Sequence, residues 1–182
     1  VMMQKKAVSF FVKVAMFAAL SIVLYFISFP LPFFVPFLKV QFSNLPAYIA
    51  GFALHPVGGL LVVVIRFLIK IPMSDTGVVG ELADLAIGVV AVGVSSMIYQ
   101  KYKTKKGAIV ALIVGTICWI VTAMLMNAFV LAPLYDLPTN DQSFMNTYLF
   151  ANVLPFNAIL SVLVAIITFL VYKRISNLLQ KF

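Results

Sequence analysis

The chain has 182 residues, 64% of them hydrophobic and 10% charged, whereas soluble domains are about 45–50% apolar and about 25% charged. So few polar side chains cannot clothe a soluble fold of this size, so lipid is the solvent that fits and residues 1–182 are read as a single membrane-embedded domain. The net charge of +8 does not point to nucleic acid, because the bases lie in short segments flanking apolar runs.

The first helix is expected over Ala7–Phe29. It is too long for a signal-peptide core and no small-residue cleavage site follows, so it reads as retained. Pro30, Pro32 and Pro36 stop it, since proline lacks the amide proton and biases its predecessor to extended backbone. The segment Pro30–Phe37 stays apolar through Phe33, Phe34 and Phe37. It is either a cap over a pocket or an interfacial loop anchored by aromatics.

Two shorter spans follow, Asn44–Leu54 and Pro56–Ile71, with Pro56 suited to a first helical turn. The former is short for a crossing and needs tilt or help from its neighbours. A turn at Met73–Gly77 leads to a fourth helix, Val78–Tyr99, and a basic loop, Lys101–Lys106. The fifth helix spans Ala108–Leu131 and ends before Pro133; a polar loop, Tyr135–Thr147, precedes the sixth, Tyr148–Tyr172. The class is therefore all-α, with about six transmembrane helices.

Lysine and arginine set the orientation. With both termini cytoplasmic, that side holds Lys5, Lys6, Lys13, Lys101, Lys103, Lys105, Lys106, Lys173, Arg174 and Lys181. The other side keeps Lys39, with Arg66 and Lys70 near it, while its long loop carries Asp136 and Asp141.

Ionisable residues inside spans are site candidates. Arg66 and Lys70 are one turn apart near the outer end of the third helix, and Glu81 and Asp84 one turn apart near the outer start of the fourth. They could form a structural ion pair between helices, or leave one carboxylate facing a polar ligand, or both. Asn127, Asn152 and Asn157 lie at the same level on the last two helices, with Pro155 loosening the backbone; amides suit neutral heterocycles and hydroxyls, and also glue helices together. Glu81, Asp84, Asn127 and Asn157, under a loop bearing Phe34, are expected to share one outward pocket. Ala15 and Ala19, with Ala18 beside them, form a small-residue face for close helix approach.

Some classes have no residues to support them. There is no Gly-Lys-Ser/Thr phosphate loop for ATP hydrolysis, and the one histidine, His55, sits in a tight turn and argues against a metal site. No nucleophile–base constellation suggests an enzyme. A stand-alone channel or secondary carrier would need polar residues in the inner halves of the last three helices, and a purely structural subunit would leave Asn127, Asn157 and Glu81 unexplained.

The run Leu38-Lys39-Val40-Gln41-Phe42-Ser43-Asn44-Leu45-Pro46-Ala47 resembles the Leu-Lys-Val/Ile-Asp-Phe-Ser-Asp-x-Pro-Ala signature of S components of energy-coupling factor (ECF) vitamin transporters, nearest to the riboflavin-type branch. Gly77-Val78-Val79-Gly80-Glu81-Leu82-Ala83-Asp84, Asn127 through Leu134-Tyr135, and Leu154-Pro155-Phe156-Asn157 match in the same order, and Ala15/Ala19 is similar to the Ala-x-x-x-Ala docking motif. The resemblance implies a multi-pass bacterial plasma-membrane subunit without enzymatic activity or bound cofactor. It would capture a small vitamin from outside under the loop after the first helix. Uptake would need a transmembrane coupling subunit, docked on Ala15 and Ala19, and two ATPase subunits that consume ATP, with the S component toppling in the bilayer. Riboflavin-type members carry acids where this chain has Gln41 and Asn44, neutral Gln and Asn where it has Glu81 and Asp84, and lysine where it has Leu160. These departures favour pyridoxine or hydroxymethylpyrimidine, with riboflavin next and anionic pantothenate disfavoured.

Overall fold

The computed structural model describes residues 2–74 and 77–179. Lys181, two residues of the expected Met73–Gly77 turn and the side chain of Lys5 lie outside what is described. Six helices order the described residues: α1 Met2–Phe26, α2 Asn44–Ala53, α3 Pro56–Lys70, α4 Gly77–Lys101, α5 Lys105–Leu134 and α6, residues 142–179. Five of them are long and apolar enough to cross a membrane. The sixth, α2, rises only about 15 Å over its length, half a hydrocarbon core. It survives at that depth because eight of its ten residues are buried among its neighbours. Outward faces carry exposed Phe11, Leu68, Phe129, Phe150 and Leu170, as lipid contact requires.

The proline segment holds a structure that the sequence reading lacked. Helix α1 ends at Phe26, and Phe29–Pro30 (β1) pairs antiparallel with Lys39–Val40 (β2), with Phe29 opposite Val40 and Pro30 opposite Lys39. Two backbone turns, Phe34 N–H to Leu31 O and Leu38 N–H to Val35 O, fold the apolar tip between them. Satisfying backbone groups in this way lets non-helical chain remain at the membrane level.

Close approach positions the middle helices. A Cβ at Gly59 would lie 2.8 Å from the Ala47 carbonyl oxygen, and one at Gly88 would lie 2.8 Å from Val63 Cγ1 and 3.1 Å from Asn44 Oδ1. Glycine at both places lets α3 and α4 press against α2. His55 caps α3 by accepting from Val57 N–H, with Pro56 in the first turn as the sequence suggests.

Helices α5 and α6 each widen into a π segment, Asn127–Leu131 and Thr147–Val153. Each segment ends two residues before a proline, Pro133 or Pro155. Proline cannot donate to the carbonyl four residues back, so the local backbone must find another hydrogen-bond pattern. Helix α5 therefore does not stop at Leu131 but passes through Pro133 to Leu134. Away from these segments, Phe52 stacks on Tyr99 (4.4 Å between ring centroids), and Tyr172 packs edge-on against both. That aromatic plug fills the bundle toward the end that bears the Lys101–Lys106 loop.

Candidate binding cavity

At the opposite end, the C-terminal ends of α1, α3 and α5 meet the N-terminal ends of α2, α4 and α6 around one cavity of about 110 Å³. Glu81, Asp84, Asn127 and Asn157 all line it, brought together from three helices. Phe34 does not. It packs edge-on against Phe156, 5.5 Å between centroids, behind the cavity wall. Phe37 takes the place expected for it, resting on Tyr135 and Tyr148 and facing the cavity with Leu38, Lys39 and Gln41. The hairpin tip divides its aromatics: Phe33 is 87% exposed, Phe34 is packed inside, and Phe37 borders the cavity. The cap and the aromatic anchor proposed as alternatives are thus two faces of one loop.

The charged residues form a closed cluster. Arg66 Nη2 lies 3.0 Å from Asp84 Oδ2, and Lys70 Nζ lies 2.8 Å from the same oxygen and 2.7 Å from Glu81 Oε2. Arg66 also donates to Asn44 Oδ1 at 2.9 Å and to Ser43 Oγ at 3.2 Å. Tyr25 donates to Glu81 Oε1 at 3.2 Å, and Lys70 sits 4.0 Å over the Tyr25 ring. Arg66 and Lys70 are each 1% exposed. Two buried cations matched by two carboxylates leave no formal charge over, which is the condition for holding such groups out of water.

This arrangement revises the electrostatic argument from sequence. Glu81 and Asp84 line the cavity as carboxylates already engaged by cations, so they offer little free anionic character to a ligand. The departures from the riboflavin-type signature also acquire a simple geometry. Asn44 Oδ1 and Asp84 Oδ2 both meet Arg66 Nη2. A carboxylate at either position would neutralise the same guanidinium, so moving the acid from 44 to 84 need not signal a new ligand.

The amides are arranged differently. Asn127 accepts from the Tyr148 hydroxyl at 2.7 Å and donates one N–H to Ala123 O; Asn157 accepts from Trp119 Nε1 at 3.0 Å and donates one N–H to Val153 O. Each amide nitrogen has a second proton, and both side chains border the cavity. Asn152 takes no part: its amide donates to Thr147 O within the π segment, and it does not line the cavity. Trp119, Tyr25 and Tyr148 were not singled out for the site in the sequence reading. The signal for Trp119 was a lone indole in an apolar span, whose N–H needs a partner when buried. Trp119, stacked on Tyr48, with Phe37, Tyr135 and Phe156 gives the cavity aromatic walls.

On α1, Val14, Phe17 and Ala18 point into the bundle, while Ala15 and Ala19 are exposed. The small-residue face is therefore open to another helix.

The family model described as "ECF transporter, substrate-specific component" matches residues 9–172. The chain is 31% identical over 173 residues to Riboflavin transporter RibU of Staphylococcus aureus (strain TCH60), covering 93% of this chain and 92% of that one. It is 27% identical over 177 residues to Riboflavin transporter FmnP of Bacillus subtilis (strain 168), covering 93% of each. Its fold is similar to that in "Structure and mechanism of the S component of a bacterial ECF transporter", with a TM-score of 0.81, 31% identity, and coverage of 97% of this chain and 98% of that one. The matches in sequence and in fold agree: the chain belongs to the substrate-specific (S) component family of ECF transporters, a family of membrane transport subunits and not of enzymes.

Proposed function

We propose that this chain captures riboflavin, or a ligand sharing its flat isoalloxazine ring, for uptake. The observation that carries this reading is the pairing of aromatic walls with two amides that each keep an N–H for a ligand. A flat ring with carbonyl acceptors suits stacking surfaces and neutral donors. The relatives bear riboflavin in their names, and none of this lends support to pyridoxine or hydroxymethylpyrimidine, which rested on treating Glu81 and Asp84 as free carboxylates.

The cavity of about 110 Å³ is small for a three-ring ligand, so the β1–β2 hairpin would shift as the ring enters. The hairpin's backbone hydrogen bonds to itself let it move as a unit. The same proposal extends to the rest of the cycle: a transmembrane coupling subunit would meet the exposed Ala15/Ala19 face, two ATPase subunits would supply the energy, and both termini would lie in the cytoplasm. Small molecules released by denaturing protein purified from riboflavin-fed cells, identified by mass spectrometry, test the ligand. A flavin released in near-stoichiometric amount is expected; a pyridine or pyrimidine in its place would overturn the reading.

A further inference from the structure

The far end of the bundle holds a second built feature, unrelated to the cavity. An apolar groove runs between α5 and α6, lined by Ile109, Ile113, Ile117, Val162, Ala165 and Ile166. At its end, through shared Phe169 and Leu170, it continues into a basic pocket formed by Lys105, Lys173, Arg174 and Asn177. Those three bases are exposed and take part in no ion pair among the described residues. Among the described residues the acids are Glu81, Asp84, Asp136 and Asp141, and all four lie at the cavity end. The pocket also adjoins the first turn of α5, where Thr104 caps only the Gly107 N–H and the helix dipole favours negative charge.

We propose that this groove and pocket form a site for an anionic phospholipid of the adjoining leaflet. An acyl chain lies between α5 and α6, and the headgroup phosphate is held by Lys105, Lys173 and Arg174. Charge complementarity selects the occupant. A transmembrane helix of a partner would fill the groove but would need its own acid to meet three cations, whereas an anionic lipid brings chain and charge in one molecule. The site would give the subunit a fixed electrostatic anchor at the end opposite its cavity.

The test uses the full chain, purified and exchanged into mixtures of phosphatidylglycerol and phosphatidylcholine with identical acyl chains. Retained lipid is counted by native mass spectrometry. One phosphatidylglycerol should remain bound, favoured over phosphatidylcholine by roughly tenfold or more. The triple variant Lys105→Gln/Lys173→Gln/Arg174→Gln should lose that preference, and Ala165→Trp, which fills the groove and leaves the bases in place, should lower retention of both lipids. Equal retention of the two lipids by the unaltered chain would overturn the proposal. So would an undiminished preference in the triple variant, or undiminished retention in Ala165→Trp, each read only on protein whose helical content is unchanged.

Discussion

Asp84→Asn isolates the logic of the buried charge cluster. The substitution preserves shape and leaves two cations facing one carboxylate. Lys70 keeps Glu81 at 2.7 Å, but Arg66 loses its only carboxylate partner among the described residues while remaining 1% exposed. Removing one member of a buried ion pair costs about 3–5 kcal/mol. Asp84 is itself 16% exposed and Arg66 keeps its bond to Asn44, so the lower end, about 3 kcal/mol, applies. For a chain of this size that corresponds to a fall of roughly 6–12 °C in melting temperature. The second substitution makes the reasoning specific: Asn44→Asp places a carboxylate 2.9 Å from the same Nη2 atom. The double variant Asn44→Asp/Asp84→Asn should recover most of the loss, while Asn44→Asp alone should gain little because the cluster then carries excess negative charge. Melting curves in one detergent, without ligand, give all four values. A double variant that melts as low as Asp84→Asn would refute the charge-matching account.

Glu81→Gln should lower melting temperature by several degrees and change riboflavin affinity less than about threefold, since both carboxylate oxygens are already engaged by Lys70 and Tyr25; calorimetric titration beside a melt separates the two effects. Asn127→Ala and Asn157→Ala should each weaken riboflavin roughly five- to tenfold, the worth of one neutral hydrogen bond, in the same titration. Ala15→Leu and Ala19→Leu should leave titrations unchanged and abolish uptake of labelled vitamin by cells, because both side chains face outward, away from the cavity.

Much of the site was legible because its residues are costly where they stand. Glu81, Asp84, Asn127 and Asn157 are polar groups within apolar helices, and alternating helix direction puts them at one end. The pairing of Arg66 and Lys70 with both carboxylates depends on the distance between α3 and α4, which Gly88 sets and no periodicity reveals. Phe34 and Phe37 are equivalent in composition; the turns between β1 and β2 are what place Phe34 against Phe156 and Phe37 at the cavity. Pro133 and Pro155 were visible, but a proline reads as a stop or a kink, and its resolution into π segments needs neighbouring helices to hold the chain on course. The substrate preference lost its support for a related reason. A carboxylate seen in sequence looks free until its partners are placed.

Trp119 is the chain's one tryptophan and lines the cavity beside Asn157. Its emission therefore reports on the site without a label. Riboflavin added to the purified chain should quench that emission in a saturable, one-to-one manner, with pyridoxine and hydroxymethylpyrimidine neither quenching it nor competing. Saturable quenching by either of those with no response to riboflavin would contradict the account.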